Sequence, residues 1–357
     1  MKQKLCFIFL FLLPFNFVFP SENSVSLLDG LFESLPFGKP FLSEIHSTMI
    51  KVESGYSKSY KEFNLEEEAK SFDRPVVEVH LGIEIPLYAL RFGEDRNGTP
   101  KWGFKITIPL SIHVLEDMFD PITAPVINTD YRFGSPRLGL LYNFEGDGFF
   151  KNISFNWLPL FHECTHLGDE ITIYRMDQNL PITRINVSYE YTELQITLND
   201  PDKLQDNVHS FRFGALYRIS DRGLGWFSVR QDSEITQDVV IPPSKYRFEF
   251  YFEYQFQRTE GFLASERAVN VFSFELRDRV RYGYPIYKLE NGAWVGKDVK
   301  ESMMWTFNLY FGWKFYSKSK ENALGLFIHL YNGINPYGQL RNYPGYPFFG
   351  ISLTYDF

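Results

Sequence analysis

The sequence predicts an all-β chain, closed into a transmembrane antiparallel up-and-down barrel of about 12 strands, with about 10 to 14 admitted. Three observations carry this. An apolar leader opens the chain, no later run reaches the ~18 consecutive apolar residues of a spanning helix, and strand-length segments set an aromatic or aliphatic face against a charged one. A chain with these properties crosses a bilayer by closing a β-sheet, which leaves no backbone group unpaired in lipid.

Lys2 and Lys4 precede the apolar run Leu5 to Phe19. That order is the layout of a secretory signal peptide, assigned here to residues 1–21, with cleavage near Pro20 to Asn23. Cys6 lies inside the apolar run, so it is not read as a lipid-attachment site. Cys164 is then the one remaining cysteine of the 357 residues, and burial and hydrogen bonding must replace disulfides. The formal net charge of −8, about −10 without the leader, argues against a nucleic-acid partner, which requires a basic face. Aromatic residues make up 18% of the chain, with 37 Phe and 22 Tyr, more than a soluble core of this length needs.

After the leader, residues of about 22 to 47 contain Pro36 and Pro40 and read as a periplasmic lead-in or a plug-like cap, the remainder to Phe357 forming one barrel domain. Phe63 to Ser71 carries Glu66, Glu67, Glu68 and Lys70 and predicts a helical turn in a loop. Alternation begins at Val77, Val79, Leu81, Ile83, Ile85 and Leu87, against Glu78, His80, Gly82 and Glu84. It resumes at Phe104, Ile106, Ile108, Leu110 and Ile112, against Lys105, Thr107, Ser111 and His113. Ile153, Phe155 and Trp157 oppose Ser154 and Asn156. Within Ile185 to Leu198 the apolar parity switches between Tyr191 and Leu194, which predicts a bulge. Phe211 and Phe213 alternate with Arg212 and Gly214.

Tyr246 to Gln257 and Trp305 to Tyr316 are the strongest segments. Each sets six large apolar residues against a face holding Arg247, Glu249 and Glu253 in the first and Asn308, Tyr310 and Lys314 in the second. Those charges are costly in a dry sandwich core, whereas a lipid-facing band around a polar lumen accommodates both faces. Leu324, Leu326, Ile328 and Leu330 follow, alternating with Gly325 and His329. Asn97-Gly98, Gly146-Asp147-Gly148, Asp221-Arg222-Gly223, Asn291-Gly292 and Asn332-Gly333 punctuate the runs as turns. The last segment, Ile351, Leu353, Tyr355 and Phe357, has the form of a terminal strand read by the outer-membrane assembly machinery.

The densest polar run is Phe161 to Arg175. His162-Glu163-x-x-His166 matches the letters of a zinc-protease helix, but that chemistry needs positions i and i+4 on one helical face. Here the run continues an alternating strand. On the parity of Ser154 and Asn156, His162, Cys164 and His166 face the lumen, with Asp169 and Glu170 as the nearest acids. His80, His113 and His329 fall on lumen parity in their own strands. The expected lumen site is therefore His162, Cys164, His166, Asp169, Glu170 and His329, with His162 and His166 as metal ligands if an ion is held. No cofactor is required by the sequence. Lipid hydrolysis is the other chemistry considered. His329-Leu330-Tyr331-Asn332-Gly333 is near the His-x-Ser-Asn-Gly pattern of outer-membrane phospholipase A, with Tyr331 in the nucleophile's place. His162-Glu163-Cys164 is near the His-x-Ser pattern of lipid A deacylases, with a thiol for the hydroxyl.

Two segments together resemble a family of bacterial outer-membrane proteins, domain-of-unknown-function family twelve-oh-seven. They are Thr165 to Glu170, THLGDE, and Tyr331 to Leu340, YNGINPYGQL; Leu35 to Glu44 matches more weakly. Cys164 departs from the serine expected there. The resemblance implies a barrel in the outer membrane of a Gram-negative bacterium and no particular activity. The expectation is a monomer in outer-membrane lipid, closed or narrow, that binds or passes a small polar solute. A lumen filled by Arg247, Glu249, Glu253 and Tyr310 would suit it, since about 12 strands leave little room for a channel.

Overall fold

The computed structural model describes residues 30–35, 37–58, 74–94, 100–118, 124–146, 148–168, 182–184, 188–200, 208–221, 226–231, 234–240, 244–265, 267–281, 283–318, 322–340 and 345–356. The predicted leader, the acidic turn at 63–71, Asp169, Glu170 and Phe357 lie outside the described residues. The strands in chain order are β1 Ile50–Ser57, β2 Arg74–Glu94, β3 Pro100–Glu116, β4 Val126–Gly134, β5 Arg137–Asn143, β6 Asn152–Leu167, β7 Ile182–Arg184, β8 Ser188–Leu198 and β9 Val208–Asp221. They continue with β10 Trp226–Gln231, β11 Glu234–Val240, β12 Phe248–Arg258, β13 Ala268–Arg281, β14 Tyr284–Glu290, β15 Ala293–Val299, β16 Ser302–Tyr316, β17 Ala323–Asn332 and β18 Phe348–Asp356.

Thirteen of these form one antiparallel sheet that closes on itself, because β1 pairs with both β18 and β2 and β2 pairs in turn with β3. Strands β4 and β5 share one place in the wall, both lying between β3 and β6, so the barrel has 12 strand positions as predicted. The break between them falls at Ser135-Pro136, where the proline removes a ladder donor. Opposite it, β6 bulges between Leu158 and Phe161, beside Pro159. The two irregularities satisfy each other: Ser135 N–H donates to the Leu160 carbonyl at 2.7 Å, and Leu160 N–H donates to Ser135 Oγ at 3.0 Å.

The outer face is the predicted apolar one. Phe248 and Phe250 of β12, Trp305, Phe307 and Phe311 of β16, and Ile351, Leu353 and Tyr355 of β18 all stand exposed. Exposure of apolar surface on this scale is the mark of a lipid-facing wall. The inner face buries Lys51, Glu53, Glu78, Lys105, Arg132, Glu163, Arg212, Arg218, Glu249, Glu253, Glu275 and Arg277. The expected bulge within β8 is absent: Tyr189, Tyr191, Glu193, Gln195 and Thr197 all point inward in unbroken alternation. The apparent parity switch arises because the lumen accepts tyrosine; Tyr191 packs on Phe161, and the Arg218 guanidinium lies 5.0 Å from the Tyr189 ring.

Ile50, Ala323 and Asp356 mark one end of the barrel, where connections such as 95–99 and 317–322 are short. The other end carries the long connections. One holds the β14–β15 hairpin, whose Asn291-Gly292 turn has positive φ at both residues, 52° and 80°, as a two-residue hairpin turn requires. Others hold β7, β10 and β11, which form a small sheet.

Of the two expectations for the segment before β1, residues 37–49 follow the plug-like one and do not extend away as a periplasmic lead-in. They occupy the lumen, with Phe37, Phe41, Leu42, Ser43, Glu44, Ile45 and Ser47 all buried. Backbone groups of an irregular segment need polar partners, and the wall supplies them. Leu42 N–H donates to Gln255 Oε1 at 3.0 Å and Ile45 N–H to Glu275 Oε2 at 2.8 Å. Asn308 Nδ2 and Lys51 Nζ donate to the carbonyls of Ser43 and Leu42 at 2.7 and 2.9 Å. Leu42 and Met49 meet an apolar patch of the inner wall formed by Val269, Val271, Tyr310 and Phe327.

Candidate functional site

The β6 bulge relocates the predicted site. Ser154 and Asn156 point inward, but beyond Leu158 the inward residues are Phe161 and Glu163. An extra residue in a strand inverts every side chain that follows. His162, Cys164 and His166 consequently lie on the outer face, and the predicted lumen site is corrected on this point. Glu163, expected on the outside, is fully buried, with its Oε2 3.2 Å from Arg132 Nε. The predicted metal pair fails too, since residues four apart on a strand stand about 13 Å apart. On the outside, His162 Nδ1 lies 3.5 Å from Glu190 Oε1 of β8.

His80, His113 and His329 do enter the lumen. His80 and His113 stack with ring centroids 4.1 Å apart, and His329 stacks on Tyr310 at the same separation. His113 Nδ1 is 2.9 Å from Arg132 Nη1, so this nitrogen is the acceptor. His329 Nε2 lies 2.7 Å from Asn308 Oδ1, and Nδ1 lies 3.3 Å from Glu53 Oε2. Tyr331, in the nucleophile position of the phospholipase-like pattern, is buried and donates its hydroxyl proton to the Ile334 carbonyl. That oxygen is directed into a turn of the chain and away from lipid.

Glu53 is the residue the sequence reading missed. It is fully buried, accepts a hydrogen bond from Tyr310 at 2.9 Å, and lies 3.9 Å from His80 Nε2. Glu78 stands 3.7 Å from the same imidazole nitrogen and accepts from the Tyr346 hydroxyl at 3.2 Å. Together with His329, Asn308 and Tyr346 these side chains line a cavity of about 20 Å³, room for one water or one ion. β1 is short and weakly patterned, and its pairing with β18 brings Glu53 into this company.

A larger cavity, about 290 Å³, opens at the end of the barrel that carries Ile50 and Asp356. It lies where β2 runs on past β1: Lys51 pairs with His80, and residues 81–94 extend beyond that register. Leu31 meets this strand again at Tyr88. Lys39, Glu84, Lys105, Gln255, Gln257 and Lys314 are part of the polar lining, with Asp356 2.6 Å from Lys314 Nζ. Lys105 Nζ lies 3.8 Å from Glu84 Oε2 and also donates to the Phe37 carbonyl, while Arg137 pairs with Glu84 from the side. Beyond β8, Asp200 accepts from Gly38 N–H at 2.8 Å and from the Ser154 hydroxyl. Burial pushes its carboxyl above the usual range, against the pull of Arg212.

Fold and lumen define a closed β-barrel with a lipid-facing wall, stoppered by its own chain. No family model matches the sequence, and no curated protein matches it. Among solved structures it is similar to the Salmonella typhi outer membrane phospholipase dimer with bound calcium, at 11% identity and TM-score 0.40, covering 92% of this chain and 96% of that one. It is similar to the CymD monoaromatic hydrocarbon channel at 10% identity and TM-score 0.38, covering 93% and 97%. The translocator domain of autotransporter NalP from Neisseria meningitidis gives 7% identity and TM-score 0.38, covering 87% and 89%. These values carry nothing about activity.

Proposed function

We propose that the chain is an outer-membrane barrel, stoppered by residues 37–49, that holds one small polar solute in the cavity below the stopper. The observation that carries this reading is the convergence of Lys39, Glu84, Lys105, Gln255, Gln257 and Lys314 on a cavity of about 290 Å³. Its size is near the lower bound for small-molecule sites, and the lining offers donors and acceptors of both charge signs. A general diffusion pore is disfavoured, because the segment across the lumen is tied to the wall through its backbone. Long connections in such barrels are commonly extracellular, which supports reading this cavity as periplasmic. Native mass spectrometry of the detergent-extracted protein, paired with bilayer conductance, tests the reading. A co-purifying small solute that Lys105→Ala releases, with no steady conductance, is the expected result. A persistently open channel with no bound solute would overturn it.

One observation favours a second reading, an acyl hydrolase acting on lipid. The bulge carries His162 and Cys164 to the lipid-facing side, with Glu190 placed to orient the imidazole. In that role the Cys164 sulfur attacks the ester carbonyl, His162 takes the thiol proton and passes it to the departing alcohol, and water then cleaves the acyl thioester to release the fatty acid and restore the thiol. Release of fatty acid from phospholipid micelles, abolished in Cys164→Ala and His162→Ala, tests it. Equal release by all three proteins would remove it.

A further inference from the structure

We propose that Glu53, Glu78 and His80 bind one first-row divalent cation inside the barrel, a site separate from the solute cavity and independent of its occupant. One donor atom from each lies within 4.8 Å of the other two. Two ligands bound to a common ion at about 2.1 Å stand about 3.4 Å apart in a tetrahedron and at most about 4.2 Å. The separations from His80 Nε2, 3.7 Å to Glu78 and 3.9 Å to Glu53, fall in that range and are too long for direct hydrogen bonds.

The second, independent observation is His80 itself. It is 8% exposed, and neither ring nitrogen has a hydrogen-bond partner among the described residues. Leaving a buried imidazole without partners is unfavourable, and an ion on Nε2 satisfies one of its two nitrogens. Glu53 Oε2 is contacted by His329 Nδ1 at 3.3 Å and lies open to the ion on its other side, while the second oxygen accepts from Tyr310. The supporting groups have the form of an outer coordination layer: Tyr310 and Tyr346 hold the carboxylates, and His113 stacks on the ligand ring. Two carboxylates and one imidazole suit zinc-like and manganese-like ions. The cavity of about 20 Å³ admits an ion and excludes anything much larger. Lys51 and His329 are the nearby basic groups. Lys51 is engaged by the Leu42 carbonyl and His329 Nε2 by Asn308 Oδ1, while His329 Nδ1 faces Glu53 Oε2 at 3.3 Å and is the group the ion displaces from that oxygen.

Zinc is the probe. The full chain is extracted from membranes of cells grown with added zinc, freed of loose metal by gel filtration, and assayed by elemental analysis. Folding is scored by heat-modifiable mobility. About one zinc per folded chain is expected. Glu78→Gln and His80→Gln, folded by the same criterion, should bind zinc at least ~10-fold more weakly. His162→Ala, on the outer face, should bind as the parent does. X-ray absorption should show nitrogen and oxygen donors without sulfur. Less than about 0.1 zinc per folded parent chain, undiminished zinc in both variants, or a sulfur donor from Cys164 would each overturn the proposal.

Discussion

The Arg212 guanidinium of β9 lies 3.0 Å from the Glu44 carboxylate of the stopper and 3.4 Å from Glu253 of β12, all three buried. One wall cation thus joins the inserted segment to the strand next to it. The Phe41 ring lies over the same guanidinium at 4.2 Å, so this side chain holds the segment by charge and by stacking. The lumen is closed here by a side-chain network as well as by the chain that crosses it.

Replacing Arg212 by Ala strands two carboxylates in a buried site. The expected loss is about 3–5 kcal/mol, read as a lower urea midpoint in unfolding followed by Trp fluorescence. The same variant should show flickering conductance in a planar bilayer, because the stopper has lost its anchor. A silent bilayer together with an unchanged midpoint would show that the pair does not hold the segment.

Cys164 should answer to lipid and not to water in the lumen. Labelled with an environment-sensitive dye and reconstituted in vesicles, it should be quenched by spin-labelled lipid and spared by aqueous quenchers. The opposite pattern would place Cys164 inside and remove the β6 bulge.

Gly214 and Tyr251 are register partners on β9 and β12, and the Tyr251 ring covers the glycine so closely that a Cβ would collide with it. That ring donates its hydroxyl to Glu193 at 2.7 Å, accepts from Gln195 at 2.8 Å, and carries the Arg277 guanidinium at 4.0 Å. Gly214→Val should therefore cost about 1–3 kcal/mol by overpacking. Adding Tyr251→Ala should recover part of the loss, and full additivity in the double-mutant cycle would contradict the contact.

Leu326 of β17 is 40% exposed on the outer face. Leu326→Arg should lower folding stability by about 2–4 kcal/mol if that face sits near the bilayer midplane. An unaffected folding titration in lipid vesicles would argue that this side of the barrel is not embedded.

Most of the barrel was legible because one physical rule acts on every strand: side chains alternate, so a residue's parity assigns it to lipid or lumen. The rule placed Phe248 and Trp305 outside and Glu249, Lys314 and His329 inside, where the structure has them. It failed wherever parity was reset or the lumen broke its own preference. In β8, Tyr189 and Tyr191 read as an outward pair although they pack inward on Arg218 and Phe161. In β6, Pro159 was visible, but its effect depended on Ser135, a distant partner that stabilises the bulge.

By itself, then, the order of residues determined the class of fold and the apolar exterior, which follow from local alternation, and bounded the number of wall positions that the pairing of β4 and β5 fixes at 12. The tertiary structure alone decided which way His162 and Cys164 face, which of the two readings of residues 37–49, lead-in or plug, holds, and that Glu53 meets Glu78 and His80. Each of these depends on groups far apart in the chain. Strand closure brings them together, and burial then requires them to find partners there.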